Sequence, residues 1–185
     1  MTLGEAKNRV YMLLDEHSTG GEIEHDRDIE LKMAAFFDIA QKLVAQVRKI
    51  RRSKTVVPVS GRTEYPMPPD FRSVYRIWRN GRIATDRYHW RRGRLAVPPG
   101  DAGCEILVEY YALPETICED ADDGYEFELD EAACQCLPYY VAAQQLLPDL
   151  VMDYGAMLHM FNQSVNMLGG DQRTDSGRVA QTLYT

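Results

Sequence analysis

The sequence predicts an α+β fold, mainly a bundle of about four helices with a small inserted antiparallel β-sheet and an extended C-terminal tail. Three observations lead there. Residues 126–168 hold two successive apolar stripes at three- and four-residue steps: Ala133, Cys136, Leu137, Tyr140 and Val141, then Leu150, Tyr154, Met157, Leu158, Phe161, Val165 and Leu168. Apolar residues at that spacing share one helix face and must be buried. A third stripe, Ile29 to Ile50, runs over about six turns. Between these stripes, from Thr55 to Ala112, the period changes to two and hairpin dipeptides appear. The domain reading follows: 1–54 with 113–169 as the helical core, 55–112 as the inserted sheet, 170–185 as a flexible tail.

Taken in order, Thr2-x-x-Glu5 is a capping box, and Ala6, Val10, Leu13 and Leu14 give a short amphipathic helix. Ser18-Thr19-Gly20-Gly21 breaks it. Asp26 or Asp28 can cap the long second helix. Its stripe continues through Met33, Phe36, Phe37, Ala40, Leu43, Val44 and Val47. The cations Arg48, Lys49, Arg51, Arg52 and Lys54 are read as its last turn and exit, where they complement the helix dipole.

Thr55 to Val59 reads as a short strand, at a sheet edge because of Pro58. Tyr65-Pro66-Met67-Pro68-Pro69-Asp70-Phe71 reads as a rigid extended loop. Ser73 to Arg79 alternates, setting Val74, Arg76 and Trp78 against Tyr75, Ile77 and Arg79. Asn80-Gly81 is a strong hairpin signal, and Arg92-Gly93 marks a second hairpin. In the last strand Ile106, Val108 and Tyr110 face one way. Residues 113–131 form an acidic loop. Pro138 falls inside the first helix of the 126–168 hairpin and should kink it at a cost of about 3 kcal/mol. Pro148 suits the first turn of the second helix, and Gly169-Gly170 should end it.

At 185 residues this is one domain, or one with a substantial insertion. No apolar run approaches the roughly 18 residues of a membrane span. Its N-terminus has no apolar signal region, so the chain is read as cytosolic when made. Cys104, Cys118, Cys134 and Cys136 are scattered, and the C-x-C pair on a helix points two ways, so free, partly buried thiols are expected. Charge is segregated along the chain. Residues 1–41 hold nine acids and four bases, residues 42–94 fifteen bases and three acids, and residues 95–185 sixteen acids and two bases. Blocks of +12 and −14 suit either nucleic-acid binding or contact between the basic face of one copy and the acidic face of the next.

His17 and His25 lie near Glu22, Glu24, Asp26 and Asp28, but match no metal-ligand spacing, and a solvated loop is preferred. His89 and His159 have no adjacent nucleophile pattern and are read as structural. The acids at 119–123 lack the order of an EF-hand loop. No phosphate loop, dinucleotide fingerprint or nucleophile elbow is present, so no enzymatic activity and no cofactor are expected. The arginines stand apart. Arg72, Arg76, Arg79, Arg82, Arg87, Arg91, Arg92 and Arg94 are assigned to one small sheet, interleaved with Tyr75, Trp78, Tyr88 and Trp90. Arginine with aromatics suits phosphate contact and base stacking, and equally suits the anchor positions of protein interfaces.

The order of these features resembles the head–tail adaptor (connector, or head-completion) proteins of bacteriophages. Two N-terminal helices including Asp28-Ile29-Glu30 and Ala40-Gln41 come first. A strand insertion follows, carrying Tyr65-Pro66-Met67-Pro68-Pro69-Asp70-Phe71-Arg72-Ser73-Val74, similar to that family's Y-x-L-P-x-D-F entry. Then come Tyr111-Ala112-Leu113-Pro114, an acidic turn and Leu137-Pro138-Tyr139-Tyr140-Val141-Ala142-Ala143. The resemblance implies a non-enzymatic virion protein at the head–tail junction, assembled in the host cytoplasm. It implies a ring, typically of twelve copies, below the portal, continuing the DNA channel and presenting a platform for the tail. The partners implied are further copies of the chain, portal protein, a tail or tail-terminator protein, and genomic double-stranded DNA passing through, with no membrane. A terminal segment docking on the portal gives residues 170–185 a role, with Val179, Leu183 and Tyr184 as anchors. A head-to-tail ring needs two complementary surfaces on each copy. Arg76, Arg79, Arg91, Arg92, Trp78 and Trp90 are the expected basic interface, and Asp120, Asp122 and Asp123 the acidic one. The alternative is a nucleic-acid-binding module using the arginine sheet.

Overall fold

A computed structural model describes residues 1–15, 27–146 and 153–181, with side chains for 1–14, 32–146 and 154–169. The chain divides into two compact units: Met1–Arg48 with Pro114–Thr185, and Lys49–Leu113.

The first unit is helical. Its elements are α1 (Leu3–Asp15), α2 (Arg27–Val47), α3 (Glu131–Cys134), α4 (Leu137–Leu146) and α5 (Asp153–Gln181). The Thr2 amide donates to the Glu5 carboxylate at 2.9 Å while the Glu5 amide donates to Thr2 Oγ1 at 3.2 Å, the reciprocal capping box that starts α1. Leu3, Ala6 and Val10 of α1 are buried, as are Met33, Phe37, Ala40 and Val44 of α2. Helix α4 packs against α1, α2 and α5, and its buried side includes Val141, Ala142 and Ala143. Small side chains there let helix backbones approach closely. Tyr140 meets Phe161 of α5 with ring centroids 5.1 Å apart, and Phe37 meets Phe127 at 5.8 Å.

Two expectations about this unit are corrected. Pro138 does not kink a long helix. The chain breaks between α3 and α4, and Pro138 lies in the first turn of α4, where its missing N–H has no helical partner to lose. Nor does α5 end at Gly169-Gly170. It continues to Gln181, so the expected extended tail is helical through that residue. A Cβ on Gly169 would lie 3.3 Å from Cγ1 of Val47, so this glycine serves close approach of α5 to α2 rather than a helix end. Pro148 and Leu150 lie outside the described residues.

The second unit is all β: β1 (Ile50–Val56), β2 (Glu64–Pro66), β3 (Phe71–Arg79), β4 (Arg82–Ile83), β5 (His89–Arg91), β6 (Arg94–Ala96) and β7 (Ile106–Ala112). They form a four-stranded sheet ordered β1-β7-β3-β4 and a three-stranded sheet ordered β2-β6-β5, with antiparallel pairing throughout. The fold is therefore α+β, but the expected helical bundle with one small sheet is not what is observed. Two sheets share a core of their own, including Val56, Tyr65, Ile77, Tyr88, Leu95 and Val108. The sheet region also starts earlier than expected. Residues 50–54, read as the end of the α2 stripe and its cationic exit, are strand; cations at the successive positions Arg51 and Arg52, and again at Lys54, disguise a period of two.

Both hairpin turns form as their dipeptides demand. Asn80 and Gly81 have φ of 47° and 77°, and Arg92 and Gly93 have 50° and 71°, the paired left-handed residues of two-residue hairpin turns. In the proline-rich entry, Tyr65 is buried, with its hydroxyl accepting from the Val59 amide at 2.8 Å. The Phe71 amide closes a turn onto the Pro68 carbonyl at 3.0 Å.

Replacing Phe37 by alanine should lower stability by about 3–5 kcal/mol, because a fully buried ring leaves a cavity. Thr2→Ala should cost only about 1 kcal/mol, since it loses one cap. Chemical denaturation of both variants checks the ranking.

Candidate functional site

The register of β3 against β7 decides where the arginines go. Pairing shifts between Phe71 and Ser73 and again between Val74 and Arg76, so β3 contains bulges. They break the alternation expected from the sequence. Val74 packs against the core with Ile77, while Arg76 pairs with Glu109 and Trp78 with Leu107 on the other face. Tyr75 is the extra residue and joins that second face, its ring 5.4 Å from Tyr111. Arg76 and Trp78 are thus brought together, and Arg79 is separated from them.

On this open face of the four-stranded sheet, cations and rings interleave. Lys49 Nζ lies 4.7 Å from the Tyr111 ring centroid. Arg51 and Arg76 both lie over Tyr75, at 5.4 and 5.0 Å. Arg76 is also 5.4 Å from the Trp78 ring. Trp78 Nε1 donates to Glu109 at 2.8 Å. Each cation–π contact at such a surface contributes about 0.5–1 kcal/mol. More usefully, each holds a long side chain in place before any partner arrives.

Arg79 belongs to a different cluster, around Asp101. Asp101 has no exposed surface. Its carboxylate accepts from Arg79 Nε at 3.0 Å, from Arg87 Nε and Nη2 at 2.9 and 2.8 Å, and from the Tyr88 hydroxyl at 2.9 Å. The Arg87 hydrogen bonds hold the Asp101 carboxyl below its ordinary range even though burial opposes this. Burial, reinforced by the same carboxylate, pushes the Tyr88 hydroxyl up to about 12. A buried charge met by this many donors is satisfied rather than stranded. Arg52 is used similarly: it donates to Asp70 at 2.5 Å, and the Tyr110 hydroxyl reaches the same carboxyl at 3.3 Å. Sequence reading missed Asp101, Asp70, Glu109, Tyr111, Lys49 and Arg51 as members of these clusters. Asp101 follows Pro99-Gly100, a local turn pattern that carries no sign of its distant partners.

The eight arginines assigned to one sheet are in fact divided. Arg72, Arg76, Arg79 and Arg82 lie on the four-stranded sheet or its hairpin, Arg91 and Arg94 on the three-stranded sheet, and Arg92 in its turn; Arg87 is in a 3₁₀ turn. Trp90, Arg91 and Arg92 are exposed together at the β5–β6 hairpin. The acidic segment is well held. The Leu3 and Gly4 amides donate to the carbonyls of Tyr125 and Asp123 at 2.8 and 2.9 Å. A Cβ on Gly4 would come within 2.9 Å of Asp123 Cβ, so only glycine fits there. Asp122 Oδ1 accepts from the Gly124 amide at 2.6 Å, and Asp123 pairs with Lys7 at 2.6 Å. Asp120 is exposed in the preceding turn. Asp130 caps α3 through the Ala133 amide and also pairs with Arg48.

Cys134 and Cys136 are buried free thiols, and burial pushes Cys134 up to about 11. His89 and His159 are on the surface. His17, His25, Leu183 and Tyr184 lie outside the described residues, as does the side chain of Val179. Among the described residues no three histidine, cysteine or carboxylate groups gather to hold a metal, and no helix is long and apolar enough to cross a membrane.

Because Asp101 is ionised at an unusually low pH in the folded state, its stabilising effect is present at neutral pH and is lost as pH falls below the ordinary aspartate value of 3.8. Asp101→Asn should lower stability at pH 7 by about 1–3 kcal/mol, as the arginine and tyrosine donors lose an ionised acceptor. It should also flatten the acid limb of the stability curve, as followed by tryptophan fluorescence.

No curated protein matches the chain. A family model described as SU10 adaptor protein matches residues 1–182, nearly its whole length. The chain therefore belongs to the SU10 adaptor family, a family of phage head–tail adaptors, and is a structural protein of the virion's head–tail junction.

Proposed function

We propose that this adaptor forms a closed ring, of about twelve copies as the family resemblance implies, between the portal and the tail. The ring continues the DNA channel and offers the tail its attachment platform. The observation that carries the reading is the family match across residues 1–182. The division of charge supports it. Residues 49–113 hold thirteen bases against six acids, net +7, while the rest of the chain holds eight bases against twenty-two acids, net −14. A head-to-tail ring requires two unlike, complementary surfaces on each copy, and opposed charge favours correct register and fast encounter. Residues 170–185, with Val179, Leu183 and Tyr184, supply a terminal anchor for portal.

A role as a nucleic-acid clamp is less well supported. Arg79 and Arg87 are held by Asp101, and Arg52 by Asp70. The rings of Tyr75 and Trp78 already face cations, which leaves them poor platforms for bases.

The full chain should sediment as a concentration-dependent ring, alone or beside purified portal, and bind double-stranded DNA only weakly at physiological salt. A particle that stays monomeric beside portal, or one that binds DNA tightly with steep salt dependence, would overturn the proposal. A chain ending at Gln181 should assemble normally but lose co-sedimentation with portal.

A further inference from the structure

The open face of the four-stranded sheet has not been given an occupant, and its chemistry is specific. Lys49, Arg51 and Arg76 are immobilised over Tyr111, Tyr75 and Trp78. Among the described residues no carboxylate forms an ion pair with any of these three cations, unlike Arg52, Arg79 and Arg87 on the core side. The one acid on the face, Glu109, is engaged by the Trp78 indole. Apart from the Arg76 Nη2 donation to the Tyr75 hydroxyl at 3.5 Å, the face is therefore a pre-positioned cationic surface whose charge is not neutralised.

We infer that this face is a docking surface for carboxylates, and that its occupant is the acidic segment 115–131 of a second copy of the chain. The inference rests on the ring reading and specifies its contact. Several features of the chain favour this occupant. The segment is ordered by α1 and by α2, where Gln41 Nε2 donates to the Glu115 carbonyl at 2.7 Å and Asp38 accepts from the Ile117 amide at 3.1 Å. Glu119 and Asp120 are exposed at the tip of a turn closed by the Ala121 amide on the Cys118 carbonyl at 3.0 Å. A rigid acidic turn meeting rigid guanidinium groups loses little side-chain entropy on contact. Phosphate would meet the same cations, so duplex binding is one arm of the test. The aromatic faces that single-stranded nucleic acid would use are already covered.

The test is a charge exchange in the full-length protein. One variant carries Arg51→Glu with Arg76→Glu; the other carries Glu119→Lys with Asp120→Lys. All four side chains are exposed or half-buried and none caps a helix, and circular dichroism verifies that each variant is folded. Analytical ultracentrifugation should show each variant alone associating at concentrations roughly tenfold or more above wild type. An equimolar mixture should recover association, since each altered surface then meets its complement. If wild type associates and both variants associate equally well, this inference fails while the ring reading stands. If wild type never associates, even beside portal, both fail. Folded variants that do not recover on mixing, or an Arg51/Arg76 variant that assembles normally but loses binding to a DNA duplex, would also overturn it.

Discussion

Strand β7 is the constraint on which the sheet unit depends. It runs between β1 and β3, with Lys54 opposite Val108 on one side and Ile77 opposite it on the other. Its strict alternation, with Ile106, Val108, Tyr110 and Ala112 buried and the residues between them half-exposed, sorts every neighbouring side chain onto one of two faces. On the core face the sorted arginines find carboxylates, Asp70 and Asp101. On the open face they find rings. A single strand in register thus separates arginines used for folding from arginines left available for a partner. Slipping β7 by one residue would turn its own buried side chains outward and undo this sorting.

The same residue type does two jobs here because of burial. Asp101 is enclosed, so two arginines must be drawn to it, and neither is free for anything else. The open face has no enclosed carboxylate, and its arginines are positioned by quadrupole attraction and contact area instead. A count of arginines therefore overstates the basic surface this unit can offer. In the proposed ring the cations that matter are those whose positions are set without their charge being neutralised.

The helical unit presents the opposite sign on an equally ordered support. Its acids between Pro114 and Glu131 are pinned from two sides, by backbone hydrogen bonds to the start of α1 and by Asp38 and Gln41 of α2. A chain so rich in carboxylates would usually be solvated and mobile. Here Ile117, Phe127 and Leu129 are buried along it and tie it to the core. Order in the acidic segment gives this unit an acidic surface of definite shape.

Much of this molecule was legible in its amino-acid order. The capping box at Thr2, the stripes of α2 and α5, both hairpin turns and the alternation of β7 follow from short-range rules, because the residues that decide them are near neighbours in the chain. The family resemblance was legible for the same reason, in the proline-rich entry and the Leu137–Ala143 run. What could not be read there required knowing which distant strands pair. The bulges in β3 placed Tyr75 and Arg76 on one face. Asp101 gathered Arg79, Arg87 and Tyr88 only once two sheets had closed over it. Gly169 met Val47 rather than ending a helix. A three-residue strand such as β2 is too short to show a period, and the cations of β1 concealed its own. Local pattern sets which elements form; long-range pairing and burial set which charges stay exposed, and that choice decides what the protein can bind.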